Sequence, residues 1–135
     1  MAFQGKWLHF KDDNVDAFLD AVGAAERGKQ IVRETHPELE IGRDGEYFTA
    51  KLVFPGVSDI ETKFKEGEEF DHPSSIVDAS KTRRAVATKL SDNKFVIKTV
   101  SGQPDMTETR EIVGDELVTT LEVGEAVCKR YFKRL

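Results

Sequence analysis

Apolar residues recur at two different periods along this chain. Between residues 15 and 22 the spacing is helical, with Val15, Phe18, Leu19 and Val22 on one face. Asn14 precedes that face as an expected N-cap whose side chain would accept backbone N–H groups. Asp16 falls in the first turn, where the helix dipole favours an acid, and Gly23 can end the helix. A second, weaker helix is expected over roughly 25–35 around Ile31 and Val32. Its interior Gly28 costs about 1 kcal/mol against alanine, and Pro37 stops it.

Elsewhere the chain reads as short strands punctuated by turn signals. Residues 3–10 open with Phe3, Trp7 and Phe10, and Trp7 is expected in the core at the base of the fold. After Pro37, strands are expected at 39–42, 46–54, 60–64, 68–70, 83–90, 94–100, 106–113, 116–122 and 125–134, which with the first makes ten. Arg43-Asp44-Gly45, Pro55-Gly56, Glu66-Gly67, Ser91-Asp92-Asn93, Gly114-Asp115 and Gly124 are among the turns between them. Residues 71–82 carry no clear signal. Ten antiparallel strands in one domain spanning 1–135 remove their unpaired edges by closing, and a barrel wider than about eight strands leaves an internal hollow. Two short helices between strands one and two cannot form the core of such a sheet and are placed as a lid over one end. The expected fold is therefore all-β, a ten-stranded up-and-down antiparallel β-barrel with a helix-turn-helix lid between strands one and two.

Composition narrows the function. The 135 residues are 39% hydrophobic and 33% charged, with a formal net charge of −5, which suits a globular domain and argues against nucleic-acid binding. The basic C-terminal run Lys129-Arg130 with Lys133-Arg134 reads equally as a solvated tail or as part of a strand. A single cysteine, Cys128, allows no internal disulfide and favours a reducing compartment. No run approaches a membrane span, and the first residues do not read as a signal peptide. A cytoplasmic location is expected.

Five segments in register resemble the intracellular lipid-binding family, to which the fatty-acid-binding proteins belong. They are Phe3-Gln4-Gly5-Lys6-Trp7; Asn14 through Leu19; Phe64 through Asp71, similar to FKLGEEFDE; Thr109-Arg110-Glu111-Ile112 with Gly114 through Leu117 and Thr120-Leu121; and Val127-Cys128-Lys129-Arg130. Together they cover nearly the whole chain. The resemblance implies carriage of a long-chain fatty acid or similar lipid inside the barrel by a monomer, with no cofactor and no metal. It also implies a carboxylate clamp of two inward arginines, here Arg110 and Arg130, and a tyrosine whose position falls on Phe132. Strand alternation puts Cys128, Arg130 and Phe132 on one face and Tyr131 on the other, so Tyr131 does not replace the missing hydroxyl.

Other departures alter the expected cavity and portal. Val15 and Val57 stand where the family has aromatics, Glu26 replaces another, and His9 occupies an aliphatic position in the first strand. Glu108 shares a face with Arg110 at a position the family keeps apolar, where it could pair with an arginine and compete with a guest carboxylate. The cavity and portal are thus expected to be lined by Val15, Phe18, Leu19, Val57, Glu108, Ile112, Cys128 and Phe132. Cys128 reads as an inert small core residue.

Rival readings are weaker. His9, His36 and His72 fall in unrelated contexts and suggest no metal cluster, and there is neither a Gly-x-Ser-x-Gly elbow nor a phosphate loop; the chain is not expected to be an enzyme. A retinoid, bile acid or other bulky hydrophobic anion is the alternative guest. Transient membrane contact through the lid is expected to be modest, because Arg27, Lys29 and Arg33 are offset by Glu26 and Glu34.

Overall fold

The computed structural model describes residues 2–56, 59–73 and 82–135. In chain order the elements are β1 (Gly5–Asp13), α1 (Val15–Ala21), α2 (Glu26–Glu34), β2 (Glu38–Asp44), β3 (Tyr47–Val53), β4 (Ile60–Phe64), β5 (Glu69–Pro73), β6 (Thr82–Ser91), β7 (Lys94–Ser101), β8 (Thr107–Val113), β9 (Glu116–Val123) and β10 (Ala126–Arg134). They form one ten-stranded sheet in the order β4-β3-β2-β1-β10-β9-β8-β7-β6-β5. Each ladder is antiparallel, and the one non-sequential neighbour pair is β1 with β10. The sheet curls until β4 and β5 meet, completing the expected lidded barrel. Where the hydrogen-bond order stops, side chains take over: Phe64 of β4 stacks on Phe70 of β5 at 5.1 Å and on Phe48 of β3 at 5.6 Å.

Alternation sorts the strands into an outer polar face and an inner face built in rows. The lowest row runs His9–Phe132–Leu117–Ile112 across β1, β10, β9 and β8. It packs with Phe3, Trp7, Leu39, Ile41 and Ala50 into a dense base. Trp7 is fully buried there, donates its indole N–H to the Phe3 carbonyl at 2.9 Å, and has the Arg134 guanidinium 4.1 Å from its ring. The basic C-terminal run is thus strand, and Arg134 is anchored to the carbonyls of Ala2 and Gln4. At the other end, α1 and α2 press Phe18, Leu19 and Val32 onto Met106, Leu121 and Cys128.

Two local features differ from expectation. Asn14 does stand before α1, but its φ of 64° is left-handed and its side chain makes no cap bond. Its Nδ2 instead donates to the Val127 carbonyl at 2.9 Å, fastening the lid to β10; asparagine tolerates that backbone better than most residues. Strand β5 continues through Asp71 and His72 to Pro73, further than residues 68–70. The inward partner of Phe70 is a buried histidine, which breaks the apolar alternation that marks a strand. Val57 and residues 74–81, most of the unassigned stretch 71–82, lie outside the described residues.

Leu117 is fully buried at the centre of the base. Replacing it by alanine is expected to cost about 2–5 kcal/mol of stability, read by urea denaturation. A loss under about 1 kcal/mol would show that the base is loosely packed.

Candidate functional site

Above the dense base the barrel is hollow. A cavity of about 970 Å³ extends from Phe132 and Thr119 up to the inner faces of α1 and α2, near the upper end of ordinary small-molecule sites, about 300–1,000 Å³. One wall is aliphatic, formed by Leu39, Ala50, Leu52 and Ile60 of β2–β4. Phe18, Leu19 and Val32 close the lidded end, with Arg27 at the rim. The opposite wall carries charge.

Part of that charge lies in one row. Asp12, Arg130, Thr119, Arg110 and Phe95 are successive register partners across β1, β10, β9, β8 and β7. A bulge makes the first of them possible. Phe10 is skipped in the pairing, so His9 faces Phe132 and Asp12 faces Arg130. The extra residue brings two side chains three positions apart onto the same face. Asp12 Oδ1 accepts from Arg130 Nε at 2.9 Å and lies 2.7 Å from His9 Nε2. His9 Nδ1 lies 3.0 Å from His36 Nδ1. Because a carboxylate only accepts, His9 donates Nε2–H to Asp12, and its Nδ1 accepts from His36. His9 and His36, read from sequence as unrelated, are stacked neighbours.

The second cluster centres on Glu108, one row nearer the lid. Its Oε2 accepts from both Nε and Nη2 of Arg110 at 2.7 Å each. Its Oε1 lies 3.2 Å from His72 Nε2, which reaches across from β5. Arg83 of β6 is the register partner of His72; it is buried, donating to Thr99 Oγ1 at 2.7 Å and to the Pro73 carbonyl. Gly102, at φ 92°, lets the β7–β8 connection pass over it, since a Cβ there would lie 3.2 Å from Arg83 Cβ.

These neighbours decide the ionisation states. Burial alone would raise the Glu108 carboxyl, but the Arg110 charge, the His72 hydrogen bond and the Arg83 field overcome it and hold it well below the ordinary carboxylate range. Burial likewise opposes ionisation of Asp12, and its bonds to His9 and Arg130 outweigh that cost. Both carboxylates are therefore charged. The Cys128 thiol, buried and near Asp12, is pushed up to about 12, which leaves it unreactive.

Of the residues singled out from sequence, Phe18, Leu19, Glu108, Arg110, Arg130 and Phe132 line the cavity. Val15, Ile112 and Cys128 do not. Val15 and Cys128 pack in the cluster beneath the lid, because α1 covers that end of β10. Ile112 sits in the base row beside Leu117. Val57 is outside the described residues. Sequence reasoning missed four inward-facing polar residues, of which Thr119 and His72 line the cavity. Thr119 was detectable as a buried polar position within the alternation Leu117, Thr119, Leu121. His72 lay in an unassigned strand, His9 was noted only as an oddity, and Asp12 was hidden by the bulge.

The chain matches, over residues 1–135, the lipocalin / cytosolic fatty-acid binding protein family. It belongs to that family. It is 33% identical over 133 residues to a fatty acid-binding protein of Lepidoglyphus destructor, covering 96% of this chain and 95% of that one. It is 34% identical over 137 residues to cellular retinoic acid-binding protein 1 of Gallus gallus, with 98% and 97% covered. Among solved structures, the Schistosoma mansoni fatty acid binding protein in complex with arachidonic acid superposes with a TM-score of 0.89 at 29% identity, covering 99% of this chain and 96% of that one. The cavity is thus that of a lipid-binding carrier, not an enzyme. Within this member of the lipocalin / cytosolic fatty-acid binding protein family, both inward arginines already hold protein carboxylates.

Removing one member of the inner pair should hurt more than removing both. Arg110→Leu leaves an ionised Glu108 buried and is expected to cost about 3–5 kcal/mol, while Glu108→Leu/Arg110→Leu should recover most of it. Urea denaturation of wild type and the two variants checks this, and a double variant no more stable than Arg110→Leu would contradict it. Glu108 also titrates lower in the folded than in the unfolded chain, where its ordinary pKa is 4.5. Its stabilisation is complete above that value and is lost as pH falls through the folded pKa. Glu108→Gln should therefore have a shallower decline of stability below about pH 4.5 than wild type.

Proposed function

We propose that this protein binds long-chain fatty acids in its internal cavity and carries them through the cytosol as a monomer, with the carboxylate held by Arg110 and Arg130. The observation that carries this reading is the row Arg130–Thr119–Arg110 beside a large cavity with aliphatic walls. Arg110 engages Glu108 through Nε and Nη2, and Arg130 engages Asp12 through Nε. That leaves Nη1 donors in the row, with Thr119 the register partner of both arginines. Arginine keeps its charge and presents a planar fork suited to a carboxylate. Phe132 contributes contact area in place of a hydroxyl. Relatives named for fatty acids support the same guest class.

The acyl chain supplies most of the affinity. At about 0.8 kcal/mol per buried methylene, fourteen methylenes give a gross gain of roughly 11 kcal/mol before ordering costs. The clamp offsets carboxylate desolvation and sets orientation. Delivery involves brief membrane contact through the lid, with Arg27 as its main cation. Lys29 and Arg33 are engaged by Asp20 at 2.7 Å and Asp16 at 2.6 Å, which ties α2 to α1 rather than offering charge to a bilayer.

A retinoid is the second reading, favoured by the identity to the retinoic acid-binding relative. Displacement of a fluorescent fatty acid by oleate, myristate, oleyl alcohol, retinoic acid and a bile acid tests both. Oleate should displace best, and shortening to myristate should weaken binding about tenfold or more. Oleyl alcohol should fall within about tenfold of oleate. Preference for retinoic acid would transfer the function to the second reading, and failure of every acid to displace the probe would overturn both.

A further inference from the structure

Glu108 places a carboxylate inside the cavity that is proposed to receive a second one. Its two oxygens are both engaged, Oε2 by Arg110 and Oε1 by His72. An entering carboxylate that approaches Arg110 must share a guanidinium with an existing anion in a low-dielectric interior. Two carboxylates in one site cannot both remain ionised without a large cost unless a cation or a proton joins them.

His72 is placed to bring that proton. Its ring is buried and lines the cavity. While Glu108 is ionised, the Nε2–Oε1 contact at 3.2 Å requires Nε2–H to donate. In the neutral ring Nδ1 is then a bare acceptor. Among the described residues it has no hydrogen-bond partner, although it is fully buried. A buried polar atom left unsatisfied in the empty protein costs free energy that a ligand group can recover. Among the described residues, the charged groups facing His72 are Glu108 and Arg110 on β8 and Arg83 on β6, its register partner. On β4 the inward residues are the uncharged Ile60, Thr62 and Phe64. A second anion entering beside Glu108 adds negative charge at this point, which a proton shared between the guest and Nδ1 would neutralise.

We propose that His72 is a headgroup-binding residue for anionic lipids, which acts with Arg110 across Glu108 and makes their binding proton-linked. One proton from solvent joins the site with the guest. Whether it rests on His72 Nδ1 and is donated to the guest carboxylate, or stays on the guest as an acid O–H donated to Nδ1, the hydrogen bond and the stoichiometry are the same. A lipid alcohol can donate its own hydroxyl proton to Nδ1 and needs no proton from solvent. The cavity thus discriminates acids from alcohols by pH. The inference rests on the fatty-acid reading above.

Isothermal titration calorimetry of oleate and of oleyl alcohol, in buffers of different ionisation enthalpy at pH 7 to 8.5, reads the linked proton directly. Wild type should take up about one proton per oleate, with affinity falling about tenfold per pH unit across that range, and none with the alcohol. His72→Gln should bind the alcohol, showing an intact cavity, while proton uptake with oleate is abolished. Glu108→Gln, which removes the resident anion, should bind oleate with much less proton uptake than wild type. Oleate binding without proton uptake, or uptake unchanged in His72→Gln, would overturn the role of His72 and leave the carrier reading standing. Failure of oleate to bind wild type at all would overturn both.

Discussion

Charge inside an apolar barrel is the constraint around which this molecule is arranged. An isolated guanidinium or carboxylate in that interior would be far too costly to retain. Arg110, Arg130, Glu108 and Asp12 are tolerated because each cation lies beside an anion and each anion accepts two or more hydrogen bonds. The pairing also fixes where they sit. The charged row lies directly above the dense base, and the cavity opens from that row toward the lid.

Secondary structure sets this arrangement through small departures from regularity. The bulge at Phe10 turns Asp12 inward beside Arg130, and without it the arginine would lose its carboxylate to the outer surface. The left-handed turn at Asn14 begins the lid directly after that bulge and fastens it to β10, the strand that carries Arg130. The stacked Phe64 and Phe70 close the seam beside His72, whose ring meets Phe70 edge-on at 5.4 Å. Lid, seam and charged row are thus neighbouring parts, although they come from distant stretches of chain.

Much of this was legible in the sequence because alternation and helical spacing are local signals. The ten strands, the lid and the outward direction of Tyr131 followed from period and register, whereas the inward direction of Arg110 and Arg130, and with it the possible pairing of Glu108, rested on the family resemblance. What escaped depended on relations that no local window contains. Asp12 was disguised by the bulge. The inward face of β5 was disguised by His72, because a buried polar residue erases the apolar alternation that announces a strand. His9 and His36 come together only through the β1–β2 pairing. Ile112 and Cys128 do face inward, but their height in the barrel, which alternation does not report, assigns one to the base and the other to the underside of the lid.

The most direct test of the central claim, that lipid headgroups are received at the charged row deep in the barrel, is a crystal structure of the protein with oleate. The account predicts the carboxylate within about 3.2 Å of Arg110 or Arg130, with the acyl chain running toward α1 and α2. A carboxylate at the mouth beside Arg27, with water filling the space around an undisturbed Glu108–Arg110 pair, would contradict it.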